Sequence, residues 1–150
     1  MKNLKNLLFD HCENLVKSRL LKYNQRSNDL YKSLNSETKS SAGDKHETGR
    51  AMLQIEREKI GNLIKISEKD HQTLSKINNN IVLKSVGLGS IIVTQEYHYY
   101  MAISAKKFNF QSKAYYCISK QSPIGSILFG RLKGDVLNFN NKKIKILEIL

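Results

Sequence analysis

A chain of 150 residues with a hydrophobic fraction of 40% has material for one ordinary domain or two small ones with a modest core, which argues against a large enzyme with a deep internal cleft. Its 25 lysines and arginines against 13 aspartates and glutamates, a net charge of +12, predict attraction to nucleic acid or to an acidic protein surface. Cys12 and Cys117 stand far apart and fit no metal-ligand spacing, so neither zinc nor a disulfide framework is expected, and a reducing cytoplasmic setting fits.

The opening stretch "MKNLKNLLFDH" has lysines and a brief apolar run, but Asp10 and His11 interrupt it, so no signal peptide is expected. No apolar run approaches the roughly 20 residues needed to span a bilayer, and no membrane association is expected. From Leu4 to about Leu34 there is neither proline nor glycine, and Leu4, Leu8, Leu15, Leu30 and Leu34 recur at helical spacing; one long helix is predicted. After the break at "SSAG", Met52, Leu53, Ile60, Leu63, Leu74 and Ile77 recur in the same way, which predicts a second helix running to about Asn78. Heptads counted from Leu53 place Leu53, Ile60, Leu63, Leu74 and Ile77 in the seam, together with Glu56, Ser67 and Asp70. Residues 1–78 therefore read as an antiparallel coiled-coil hairpin with an imperfect seam and an acidic tip near 43–47.

"NNN" at 78–80 punctuates the chain, and the pattern then changes to period two in "SIIVTQ", "YYMAIS", "AYYCIS", "DVLNF" and "IKILEI", the signature of strands. Within this half, "SPIGSILFG" predicts a short helix with Ser122 as its N-cap, Pro123 as its first residue and Gly130 as its stop. "VLNFNNKKIKILEI" predicts a closing hairpin turning at Asn140 and Asn141. The fold class is α+β, with a two-helix hairpin followed by a small β-sheet domain, residues 81–150, carrying one short helix. Residues 1–80 hold 15 basic and 10 acidic side chains, and residues 81–150 hold 10 and 3, so the sheet domain is the more basic per residue.

Asp44 and Glu47, three apart just after Gly43, admit two readings. They form a capping-box arrangement, in which Asp44 accepts a first-turn N–H and Glu47 reaches back to the cap, and both suit the positive end of the helix dipole. They are also a carboxylate pair able to share a hard cation such as magnesium whose other ligands come from a partner. Capping uses only some of the oxygens, so the readings coexist.

The sheet domain's Lys106, Lys107, Lys113, Lys120, Arg131, Lys133, Lys142, Lys143 and Lys145 read either as a solvated surface or as a face for acidic protein or nucleic-acid backbone. Tyr97, Tyr99, Tyr100, Tyr115 and Tyr116 read first as strand packing and second as a base-stacking platform. The four histidines show no ligand spacing. Ser122 has no nucleophile-elbow context, and the "VGLGS" glycines open no helix, so no dinucleotide loop is expected.

The order of hairpin, acidic tip and sheet domain resembles the bacterial Gre-type (GreA/GreB) transcript cleavage factors over nearly the whole chain. "GDKHETGRA", residues 43–51, is similar to the family pattern G-D-x-x-E-N-A-E-Y at Gly43, Asp44 and Glu47. "VGLGSIIV" looks like the family's first strand, and "SPIGSILFGRLKGDVLNF" is similar to its S-P-[IL]-[GA]-x-x-[IL]-x-G-x-x-x-G-D-x-[VL] segment, through SPIG, Gly130, Gly134 and Asp135.

The resemblance implies an FKBP-like sheet domain and an accessory factor with no enzymatic activity of its own. Such a factor enters the secondary channel of bacterial RNA polymerase and stimulates cleavage of backtracked nascent RNA. In those terms Asp44 and Glu47 assist catalysis in trans by sharing a magnesium ion with the polymerase active site, and the chain needs no cofactor of its own. Ser122, Pro123, Ile124 and Gly125 become candidates for docking on the polymerase, and Lys45, His46 and Arg50 for contacts with RNA at the tip. A monomer is expected, with weak DNA binding at most.

Where the family continues N-A-E-Y, this chain has Thr48, Gly49, Arg50 and Ala51. A cation thus replaces a third acid and the aromatic ring is missing. Two alternatives stay open: a channel regulator that does not stimulate cleavage, and a basic nucleic-acid-binding module unconnected with polymerase.

Overall fold

A computed structural model describes the backbone of residues 2–39 and 43–150 and the side chains of residues 3–36 and 48–150. Two long helices, α1 (Lys2–Lys39) and α2 (Gly43–Ser75), precede six strands, β1 (Ile91–Thr94), β2 (His98–Ala102), β3 (Phe108–Phe110), β4 (Lys113–Ser119), β5 (Val136–Phe139) and β6 (Lys142–Ile149). A short helix, α3 (Pro123–Leu128), lies between β4 and β5 in the chain. This is the α+β layout expected. Two compact units result: residues 16–71, and residues 1–15 together with 72–150.

In the unit of residues 16–71, α1 and α2 pair antiparallel. Arg26 Nε donates to Glu56 Oε1 at 2.9 Å, and the Arg57 guanidinium lies 5.9 Å from the centre of the Tyr31 ring. Val16, Leu30 and Leu34 are buried on the α1 side, but the half-buried positions between them include Arg19, Tyr23 and Ser27. On α2 the inward residues are Leu53, Glu56, Ile60, Ile64, Ser67 and Asp70. Leu63, expected in the seam, is 38% exposed, and Ile64 turns inward in its place: the 3.6-residue turn drifts off a strict 3.5-residue repeat when the seam is too polar to enforce supercoiling. Burial pushes the Asp70 carboxyl above its usual range, against the opposing pull of the Arg19 and Lys69 charges.

The second helix stops at Ser75 rather than near Asn78. Lys76 and Ile77 make three-residue turn bonds back to Thr73 and Leu74, and Asn78 Oδ1 accepts the N–H of Asn80 at 2.9 Å, an Asx turn that competes with helix.

In the other unit the strands form one sheet in the order β3-β4-β2-β1-β6-β5. β2 and β4 are parallel and the remaining neighbours antiparallel. One row of paired residues runs Ile91, Tyr100, Cys117 and the next runs Ile92, Tyr99, Tyr116. The second row belongs to a core with Met101, Ile118, Leu137, Ile146 and Leu128 of α3. The first row meets the start of α1, where Leu4, Leu8 and Cys12 are buried and the Cys12 and Cys117 thiols share a hydrogen bond. His11 Nε2 donates to the Lys106 carbonyl at 2.7 Å. With a layer on each face, residues 99–103 are buried without alternation.

The β3–β4 hairpin adds an edge for which the sequence pattern gives no separate strand. Its turn residues, Gln111 and Ser112, take φ of 47° and 64°, left-handed values that usually call for glycine or asparagine. Asn140 and Asn141, with φ of 51° and 64°, form the expected β5–β6 turn.

The Asp70 environment gives a pH-dependent prediction. A carboxyl whose folded pKa is raised favours folding below its unfolded pKa and loses that contribution as pH rises through the folded value. Asp70→Asn is therefore expected to raise the melting temperature of the 16–71 unit by a few degrees at pH 7. That advantage should vanish near pH 3, as followed by far-ultraviolet circular dichroism.

Candidate functional sites

The α2 start and the β4–α3 turn carry the candidate residues. Gly43 is the first residue of α2, so the backbone places Asp44, Lys45, His46 and Glu47 in its opening turn, at the end whose unpaired N–H groups favour negative charge. Their side chains lie outside the described residues, and so do the capping bonds expected of Asp44 and Glu47. The following residues Thr48 and Arg50 are exposed. Two carboxylates are oxygen donors of the kind magnesium prefers, but two fall short of its six-coordinate shell, so the remaining ligands would come from elsewhere. Among the described residues no group of three or more potential metal ligands occurs.

The β4–α3 turn is fully described, and its residues act mainly on one another. Ser122 adopts φ −65° and ψ 156° as N-cap of α3; its Oγ accepts the Gly125 N–H at 3.1 Å and donates to the Ser119 carbonyl at 2.7 Å. Pro123, at the first helical position, loses nothing by lacking an N–H there. A Cβ on Gly125 would sit 1.8 Å from the Ser119 carbonyl oxygen; the glycine is thus required by close approach, with no demand for an unusual φ. Downstream, Gly130 and Gly134 take φ of 81° and 90°, and the Asp135 carboxylate accepts the Leu132 N–H at 2.8 Å.

Of the four docking candidates, Gly125 is buried, Ile124 packs on the core and Ser122 is occupied as a cap. Pro123 alone of the four is exposed, beside exposed Gln121 and Ser126. Phe129, which no sequence pattern singles out, is 37% exposed with the Lys120 ammonium 4.2 Å from its ring centre.

All nine cations of the sheet half named from the sequence are exposed. Lys133 pairs with Glu148 at 3.5 Å and Lys142 with Glu96 at 3.8 Å, and Asp135 is engaged as above, so all three carboxylates of residues 81–150 have internal partners. A positive surplus remains. Of the tyrosines, Tyr99, Tyr100 and Tyr115 are buried, and Tyr97 meets Tyr116 edge to face at 5.5 Å. They pack the sheet, and among the five only Tyr97 is exposed, at 42%.

No family model matches the chain, and no curated protein matches it. Among solved structures, one described as "Structure of the transcription factor Gfh1" is similar over 93% of this chain and 92% of that one, with 20% of residues identical and a TM-score of 0.36.

The turn chemistry predicts a graded mutational response. Ser122→Ala, which leaves the Gly125 N–H without its cap, is expected to cost about 1 kcal/mol in urea denaturation. Gly125→Ala is expected to cost about 2 kcal/mol or more, because α3 must move away from the end of β4.

Proposed function

We propose that this chain is a Gre-like transcription factor that binds RNA polymerase through its sheet half and brings the α2 start to the secondary channel, where Asp44 and Glu47 stimulate cleavage of backtracked RNA. The observation that carries the reading is the segment from Ser122 to Asp135. Each of its patterned residues meets a distinct physical requirement, with a cap at Ser122, a close approach at Gly125, left-handed turns at Gly130 and Gly134, and a carboxylate bond at Asp135. A pattern held in place by so many separate constraints supports the family resemblance more strongly than a short acidic motif does.

The rest of the proposed mechanism rests on the place of the two acids in the opening turn of α2. Negative charge at a helix N-terminus is favoured by the unpaired N–H groups. Ionised, they would hold a magnesium ion that the polymerase also ligates, and the ion, when bound, supplies stabilisation of the charge developing on the scissile phosphate. The chain's own part is to position the two acids, and its exposed cations would speed encounter with an acidic rim. Lys45, His46 and Arg50 would meet RNA phosphates. Neither acid acts alone, so the chain is an accessory factor and the hydrolysis belongs to the polymerase.

A second reading, a channel regulator that leaves cleavage unstimulated, is favoured by the stretch Thr48 to Ala51. There Arg50 stands exposed where the family pattern has an acid, and a nearby cation weakens the hold of carboxylates on a metal.

The test is a backtracked elongation complex with end-labelled RNA, magnesium and the full chain. Wild type is expected to shorten the RNA, and Asp44→Asn/Glu47→Gln to lose the stimulation by at least about a hundredfold while binding polymerase equally well. Retained cleavage in the double variant would remove the two acids from the mechanism. Binding without any shortening by wild type would favour the regulator, and the absence of polymerase binding would leave a basic module whose affinity for nucleic acid falls steeply with salt.

A further inference from the structure

We infer that the cavity beside Lys5 binds a small phosphorylated anion with an apolar body. The cavity, about 440 Å³, lies wholly within the unit of residues 1–15 and 72–150 and falls in the size range of small-molecule sites. Among the described residues its ionisable lining is Lys5, Lys76 and Lys120, with no acid. Ile81, Leu88 and Phe129 supply apolar wall.

Lys5 is the unusual member. It is 3% exposed, and its Nζ donates to the Ile81 carbonyl at 3.0 Å, a neutral partner for an amine that offers up to three N–H donors. Burial pushes its pKa below the ordinary lysine value. A cation removed from water in this way is costly until an anion pairs with it. The second cation, Lys120, rests against the Phe129 ring at 4.2 Å instead of on a carboxylate. Among the described residues, neither therefore has an acidic partner at the cavity wall.

The loop at 85–90 contributes shape more than donors. Its Gly87 N–H is taken by Ser90 Oγ at 3.0 Å and its Gly89 N–H by the Met101 carbonyl at 2.7 Å. Recognition thus falls to the ammonium groups, which act as point charges suited to phosphate oxygens. Three of them match the charge of a di- or triphosphate group better than that of a single carboxylate, and the apolar wall has room for the body that carries it.

Titration calorimetry of the full chain at fixed ionic strength near 0.15 M tests this, with inorganic pyrophosphate, a nucleoside triphosphate and the unphosphorylated nucleoside as probes. Saturable one-to-one binding of both phosphates is expected, tighter for the nucleoside triphosphate, with none for the nucleoside. Lys76→Gln/Lys120→Gln should weaken it by at least about tenfold, whereas Lys142→Gln/Lys143→Gln, which removes the same charge elsewhere, should leave it unchanged. Lys5→Met should abolish binding without lowering the melting temperature; if that variant fails to fold, the two double variants still decide. Absence of saturable binding by either phosphate, equal loss in both double variants, or equal binding of the nucleoside would overturn the proposal.

Discussion

The burial of β2 on both faces is the constraint from which the sheet half of the molecule is built. A strand with one wet face alternates, but residues 99–103 are buried throughout, so each face needs its own cover. Leu128 and Ile124 of α3 serve one side, and the first turns of α1 serve the other, where Tyr100 and Cys117 meet Cys12. The start of α1 is consequently part of the sheet's compact unit even though more than half the chain separates the two in sequence. Position along the chain and membership of a core are different things here.

The 16–71 unit rests on a different balance. Its apolar contacts, at Val16, Leu30 and Leu34, are interrupted by a stretch where the inward positions are polar or charged. Such a seam sacrifices hydrophobic stabilisation, and the Arg26–Glu56 pair and the Tyr31–Arg57 contact recover a part of it at partly solvated sites where each is worth well under about 1 kcal/mol. What the polar layer contributes instead is registry: opposing Ser67 and Asp70 to anything but a compatible partner is expensive.

Features set by near neighbours in sequence are legible without the structure. The cap at Ser122, the proline that follows it, the asparagine turn at 140–141 and the break at "NNN" after α2 each depend on a few consecutive residues and on well-defined backbone preferences. Features set by tertiary contact are not. β3 is three residues long and turns on Gln111 and Ser112, neither a usual left-handed residue, and its pairing with β4 is what holds them left-handed. Lys5 is indistinguishable from the chain's other lysines until the Ile81 carbonyl is seen above it. Gly125 is a docking candidate only through the family resemblance, and its close approach to Ser119 accounts for it without a partner. At the α2 start the sequence shows the pair of acids, and a cation shared with a partner there is part of the proposed function.

The tyrosine distribution has a spectroscopic consequence. The chain has no tryptophan and seven tyrosines; five fall between 97 and 116, and the other two, Tyr23 and Tyr31, belong to the 16–71 unit. Near-ultraviolet ellipticity and tyrosine emission accordingly sample mainly the sheet, whereas ellipticity at 222 nm samples mainly α1 and α2. Two optical channels in one unlabelled sample thus weight the two units differently, and a mismatch between their melting curves would expose separate melting of the 16–71 unit.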